Sequence, residues 1–249
     1  MITVAQIASD LGEITILRSR ANGSHIYVQG DGYQSQADGA GVSLSCYIHA
    51  MYGLIAQTRA RDVLMIGCGG GTLGTMLANT GRNVTIVDVN SDSFALARRF
   101  FSLSPAITCH VSDGGDFLEQ CHRSYDAIVV DAFAGDTIPE HLRSIEFFHI
   151  ARRRLDNSGC ILANVLLEHD LDPTADAIAA CVAVMGLRVQ VLDTQGELDR
   201  NAIVVGSASG PLKPPSVLVA PKTQQRQIAE EVGKMRFRAW RKRRRWTAR

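Results

Sequence analysis

Asp62-Val-Leu-Met-Ile-Gly-Cys-Gly-Gly-Gly-Thr-Leu-Gly74, followed closely by Val84-Thr-Ile-Val-Asp88, decides the fold. It reads as a buried strand, a glycine loop, a helix and a second strand that closes on an acid. Asp88 lies 21 residues beyond Gly67, near the roughly 20-residue spacing at which a carboxylate meets a ribose diol. Glycines let the backbone turn sharply and approach a ligand with no Cβ in between. These residues imply a ligand that carries an adenosine.

Working outward, strands are expected at 62–67, 83–88, 106–111, 126–131 and 159–165. Helices are expected near 72–80, 91–102, 114–121, 144–155 and 172–185. Such alternation implies an α/β fold with a doubly wound, Rossmann-like parallel sheet that binds ligands at the strands' carboxyl ends. Two last strands, Leu187–Leu192 and Ala202–Gly206, are joined by a polar turn too short for a helical crossover, so this pair is expected to be antiparallel. Upstream, residues 13–36 alternate polar and apolar around Gly23, Gly30 and Gly32, as hairpins do. Residues 42–57 read as a buried helix. The partition is a small β-hairpin domain at 1–40, a cofactor-binding catalytic domain at 41–210, and a linker with Pro211, Pro214, Pro215 and Pro221 leading into a basic tail at 211–249.

Hydrophobic residues make up 46% of the 249 and charged ones 20%, which is ordinary for a globular protein. No run of about 18 apolar residues occurs, and the first residues lack the basic flank and apolar core of a secretory signal. The six cysteines at 46, 68, 109, 121, 160 and 181 form no Cys-x-x-Cys pair. They read as free thiols in a reducing cytoplasm, with no metal site. The net charge of +1 conceals a split: residues 222–249 hold 11 Lys or Arg against two Glu, leaving 15 basic and 23 acidic residues elsewhere.

Gly69-x-Gly71-x-x-Gly74 formally fits the dinucleotide fingerprint, so a nicotinamide oxidoreductase competes as a reading. Asp113, followed by Gly114, falls just after the third strand and Asp131 ends the fourth. Carboxylates at the ends of strands two, three and four suit a cationic, adenosine-bearing ligand. They suit a pyrophosphate badly, because like charges repel.

Val63-Leu-Met-Ile-Gly-Cys-Gly-Gly-Gly71, Val84-Thr-Ile-Val-Asp-Val-Asn90, Ser112-Asp-Gly-Gly-Asp-Phe-Leu118 and Tyr125-Asp-Ala-Ile-Val-Val-Asp-Ala-Phe133 resemble the successive motifs of the spermidine synthase (polyamine aminopropyltransferase) family, a branch of the class I AdoMet-dependent methyltransferase fold. The resemblance covers residues 13–207. It implies a class I methyltransferase sheet with an antiparallel last strand, and S-adenosylmethionine or decarboxylated S-adenosylmethionine as cofactor. It further implies that Asp88 holds the ribose hydroxyls, with Val89 beside it, and that Asp113 and Gly114 meet the adenine. Gly67, Gly69, Gly70 and Gly71 would line the cofactor, and Gln34 or Gln36 would approach it from the N-terminal domain. The related enzymes are commonly dimers or tetramers, so a homodimer is also implied.

Three departures from that family bear on the chemistry. Gly70 stands where aminopropyltransferases carry the Asp that grips the ammonium of the decarboxylated cofactor. The family's Asp-Ser-Ser-Asp-Pro becomes Asp131-Ala-Phe-Ala-Gly-Asp136, and its Tyr-x-Glu-Met segment, here Tyr47-Ile-His-Ala-Met51, loses the Glu. A bare cation favours a carboxylate partner, whereas intact AdoMet carries a carboxylate better met by backbone N–H groups. The reading therefore leans towards methyl transfer to a small amine, with aminopropyl transfer to putrescine as the alternative. Replacing Gly70 by Asp is expected to improve binding of the decarboxylated form.

A sulfonium already holds a good leaving group, so the protein has mainly to position and deprotonate a nucleophile. Asp131 is the first candidate for that task. Asp136 would bind a second positive group on the acceptor, and Tyr47, matching the family's tyrosine, would face the pocket. Tyr47 and His49 lie about 200° apart on a helix, so His49 is read as a helix histidine with a local partner. Glu168-His169-Asp170 are placed at the crevice mouth, and Glu140 and His141 are read as surface or cap residues.

From Gln224 a helix is expected, with Ile228, Val232, Met235 and Ala239 as an apolar stripe. Arg236-Phe-Arg-Ala-Trp-Arg-Lys-Arg-Arg-Arg-Trp246 interleaves bases with aromatics. Such a tail docks on the acidic body, or meets an anionic membrane surface or nucleic acid. A non-catalytic cofactor-binding homologue with an anchoring tail is the remaining alternative.

Overall fold

The computed structural model describes residues 1–9, 11–30, 32–135 and 137–241. Asp136, and Trp246 with the basic run around it, lie outside the described residues.

The chain opens with a four-stranded antiparallel meander: β1 (Ile2–Ile7), β2 (Ile14–Arg18), β3 (His25–Gln29) and β4 (Gly32–Ala37). The hairpin reading anticipated β2 to β4 but not β1, whose Ile2 and Val4 are left partly open to solvent. Helix α1 begins at Cys46 and runs to Ala56, four residues later than the sequence pattern suggests. Residues 42–45 stay extended because Ala37 bridges to Ser43 and the Leu44 N–H donates to the Gln36 carbonyl.

The alternating elements follow: β5 (Asp62–Ile66), α2 (Thr72–Ala78), β6 (Asn83–Asp88), α3 (Ser91–Phe100), β7 (Thr108–Val111), α4 (Gly114–Gln120) and β8 (Tyr125–Val130). A 3-10 turn at Glu140–Arg143 leads into α5 (Ile145–Arg154), β9 (Leu155–Leu167), α6 (Thr174–Ala183), β10 (Arg188–Asp193) and β11 (Arg200–Ser207). The last elements are α7 (Gln225–Lys234) and β12 (Arg236–Arg238). The second sheet runs β12-β10-β11-β9-β8-β5-β6-β7. β5 to β9 are mutually parallel, and β11 is antiparallel to both β9 and β10.

Period-two alternation fills both faces of this sheet. Val63, Met65, Ile86 and Val129 point into the core beneath α1, α2 and α3. Leu64, Ile66, Val87 and Val130 point to the opposite side, against α4, α5 and α6. Buried on both faces, the central strands read as continuous apolar runs, which is why the sequence locates them well. Ile14, Ile16 and Tyr27 of the small sheet pack on Leu96 and Phe101 of the α3 segment. That contact holds the meander over the carboxyl ends of β5 and β6.

The tail departs from its expected form. The helix stops at Lys234, so Met235 and Ala239 do not continue its stripe; Met235 enters the main core instead. The chain then forms β12 on the edge of β10. Arg238 donates to Asp193 and Asp176, which together neutralise it. The proline-bearing segment is pinned to the body by Gln57 with Lys213, Gln190 with Leu212, and Asp38 with the Lys222 N–H. Among the described residues no helix is long and apolar enough to cross a membrane, no cluster suits a metal ion, and all six cysteines are free thiols.

Candidate functional site

β5 and β8 are neighbours, and from their carboxyl ends the chain departs to opposite faces of the sheet. A crevice must open there. Gly67 allows it: its φ is 99°, and a Cβ would lie 2.2 Å from the Asp131 carbonyl oxygen. Only glycine lets these two strand ends lie this close.

The crevice holds a cavity of about 290 Å³ lined by Ile66, Gly67, Gly69, Asp88, Val89, Asp113 and Gly114, among others. The meander closes it with Leu11, Tyr27, Gln29 and Gln34, and the segment after β8 with Pro139, His141 and Leu142. Both oxygens of Asp88 are aimed by the backbone, accepting from the N–H groups of Cys68 and Asn90 at 2.8 Å. Burial nevertheless pushes its carboxyl above the usual range. Asp113 caps α4 through the N–H groups of Gly115 and Asp116. Its other oxygen takes the Nε2–H of His141 at 2.7 Å. Burial acts against that charge, yet the His141 bond and the two amides hold the carboxyl below its ordinary value. His141 is thus no mere surface residue; its side chain is 57% exposed but occupies the rim of this cavity beside Asp113.

A smaller cavity of about 110 Å³ adjoins the first and shares Gln34, Cys68, Gly69, Asp131 and Phe133 with it. Tyr47, Ser35, Asn164 and Asn201 complete much of its wall. Asp131 accepts from the Asn164 side-chain amide at 2.8 Å, and Asn164 in turn accepts from that of Asn201 at 3.0 Å. Burial pushes the Asp131 carboxyl up to about 6, against the downward pull of the Asn164 bond. Tyr47 donates to the Gln34 carbonyl. Its phenol is driven well above its usual value by burial first and by the Asp131 charge second.

Several expected site residues lie elsewhere. Gln36 turns its amide to Ser24 and lines neither cavity. Gly71 initiates α2, where a Cβ would strike Leu103. Gly70 gives its N–H to the Ser35 hydroxyl, and a Cβ there would sit 2.8 Å from Phe101 Cδ1 and 3.1 Å from Ser35 Cβ. It faces packed side chains, away from the ligand space. His49 is buried, its Nε2–H donating to the Ser43 carbonyl at 2.7 Å. Glu168, His169 and Asp170 border separate surface pockets, and Asp170 pairs with Arg200. Asn164 and Asn201 were missed, though a lone amide in the apolar run Cys160-Ile-Leu-Ala-Asn-Val-Leu-Leu167 is a signal that a partner must exist.

A family model described as a methyltransferase domain matches residues 63–159. The polyamine aminopropyltransferase of Vibrio vulnificus (strain CMCP6) is 31% identical over 119 residues, covering 45% of this chain and 40% of that protein. A probable spermidine synthase from Corynebacterium glutamicum ATCC 13032 superposes with a TM-score of 0.76 at 19% identity, covering 96% of this chain and 92% of that one. The chain has the spermidine synthase fold. A spermidine synthase solved with the transition state analogue AdoDATO has a TM-score of 0.69 at 16% identity, covering 92% and 84% of the two chains. The matching stretch spans 40% of that curated relative's length, so what the chain shares along its whole course is the fold.

Proposed function

We propose that the protein is a group transferase that takes decarboxylated S-adenosylmethionine in the larger cavity and passes its aminopropyl group to a small amine in the smaller one. The observation that carries this reading is Asp131, one carboxylate on the wall common to both cavities. The preference for methyl transfer rested on Gly70 as the missing ammonium partner. Gly70 turns away from the cavity, so its lack of a carboxylate no longer decides the donor. The names of the relatives favour aminopropyl transfer.

The residues present fit such a donor. Asp88 would meet the ribose hydroxyls, Asp113 the adenine amino group, and Ile66, Val89 and Leu142 the ring faces. The donor, once bound, supplies an electrophilic carbon with a thioether leaving group. Asp131 orients the amine and takes its proton, and the nitrogen lone pair then forms the N–C bond as the C–S bond breaks. With its carboxyl at about 6, Asp131 is mostly ionised at neutral pH yet basic enough to hold a proton. Tyr47 and Gln34 fix the approach of the amine. Free thiols fit action in a reducing cytoplasm.

Calorimetric titration with S-adenosylmethionine and its decarboxylated form, side by side, tests this. The decarboxylated form is expected to bind more tightly. A preference for intact S-adenosylmethionine would overturn aminopropyl transfer and restore methyl transfer.

A further inference from the structure

Resting on the transfer reading above, we infer that Ser35 selects the donor. By engaging a glycine-loop amide with its own hydroxyl, it denies a partner to the carboxylate of intact S-adenosylmethionine and so favours the decarboxylated form. Ser35 Oγ accepts from the Gly70 N–H at 3.0 Å. It also sits against Gly69, where a Cβ would lie 2.8 Å from it. Gly70 itself lines neither cavity, whereas Ser35 lines the smaller one and Gly69 lines both. The hydroxyl therefore covers the peptide joining Gly69 and Gly70 from the ligand side. An adenosine donor in the larger cavity brings its tail to this common wall.

Other amides of the loop are committed in the same way. The Gly67 N–H donates to the Val87 carbonyl at 2.9 Å, the Cys68 N–H to Asp88 Oδ2 at 2.8 Å, and the Gly71 N–H to the Cys68 carbonyl at 2.7 Å. A ligand carboxylate draws strength from backbone N–H groups that are free to meet it. One that leaves water and finds them already bonded is strongly disfavoured. Asp131 lines the same wall and adds repulsion, because like charges repel. A tail that ends in an ammonium alone is the opposite case. It has donors and no acceptor, so it asks nothing of the loop amides, and Asp131 attracts it. Ser35 reaches this position because β4 pairs with β3, and the meander is seated by Ile14, Ile16 and Tyr27 on Leu96 and Phe101. The selectivity of the loop is thus set by another element, 35 residues away in sequence.

The test is calorimetric titration of the full-length wild type, Ser35→Ala and Ser35→Thr with three probes: S-adenosylmethionine, its decarboxylated form and 5′-methylthioadenosine. Ser35→Ala frees the Gly70 N–H and should shift the affinity ratio about tenfold towards intact S-adenosylmethionine, the worth of one hydrogen bond to a charged group. A wild type that prefers the decarboxylated form beside an Ala variant with the same ratio overturns the inference and leaves the transfer reading standing. A wild type that prefers intact S-adenosylmethionine overturns aminopropyl transfer, and the inference with it. Ser35→Thr keeps the hydroxyl and should retain the wild-type preference; if it loses discrimination as the Ala variant does, the hydroxyl is not what selects and the inference falls. The probe 5′-methylthioadenosine has the adenosine and the thioether without a charged tail, so it should bind Ser35→Ala as it binds the wild type. A loss of its affinity alongside that of both donors would show that Ser35 only shapes the loop, which likewise overturns the inference.

Discussion

The side-chain amide of Asn164 stands 2.8 Å from Oδ1 of Asp131, and it is the hydrogen bond that opposes burial at this carboxylate. The pair couples a strand with no obvious chemistry to the acid at the centre of the site.

The pH dependence of Asp131 follows from its raised carboxyl. Group transfer should fall as pH drops through about 6, where Asp131 gains its proton. The stability effect has the opposite sense. A folded-state value above the unfolded one, near 3.9, favours the protonated form, so stability is lost as pH rises from about 3.9 to about 6 and stays lower above that. Asp131→Asn should therefore reduce transfer by about 10²–10⁴-fold while making the protein more stable at pH 8 by about 1–3 kcal/mol. Thermal melts at pH 4 and pH 8 beside rate measurements check both arms.

Asn164→Leu removes the bond that lowers the Asp131 value. The acid limb of the rate profile should move upward from about 6. Leaving the half-buried Asp131 and Asn201 without this amide should cost about 1 kcal/mol in urea unfolding. A lower rate with an unmoved acid limb would show that Asn164 acts by shape alone.

His141→Ala releases one oxygen of Asp113. The pair is partly exposed, so stability should change by under about 1 kcal/mol. Asp113 is held below its ordinary value; its contribution is present above the unfolded value and lost as pH falls through the folded one. In the variant this contribution is smaller, and its acid-side loss is complete at a higher pH. Calorimetry should register altered donor affinity, since the adenine amino group no longer competes with an imidazole.

Arg238→Leu strips a cation that is 12% exposed from Asp193, 1% exposed, and Asp176. Arg200 still pairs with Asp193, but Asp176 loses its ion-pair partner. Removal should cost about 2–4 kcal/mol, because a buried charge stays behind. Chemical denaturation at low and high salt should show the loss in both, as a buried pair is little screened.

Gly70→Asp should not improve binding of decarboxylated S-adenosylmethionine, contrary to the expectation from the motif. A Cβ at this position meets Phe101 at 2.8 Å, and overpacking of that kind costs about 1–3 kcal/mol. A tighter complex in calorimetry would show that Phe101 yields and that the position does reach the ligand.

The parallel strands were legible because each is an apolar run bounded by glycine, acid or turn residues, and both faces are buried. The same holds for Asp88, Asp113 and Asp131, whose places at strand ends follow from the alternation itself. Boundaries were less so: α7 ends at Lys234 because Arg238 finds carboxylates on β10 and α6, and local helix periodicity carries no trace of them. β1 escaped notice because an edge strand buries little and shows little pattern.

The sequence by itself determined the sheet, the order of its elements and the carboxylates at its crevice. These depend on local periodicity and on glycine, and both are written in neighbouring residues. Tertiary structure alone decided that Gly70 faces Phe101, that His141 meets Asp113, and that Asn201 and Asn164 reach Asp131 in line. Those pairings join residues 28 to 37 positions apart, or a loop to a helix end. Their direction depends on how the elements pack, which no local pattern encodes.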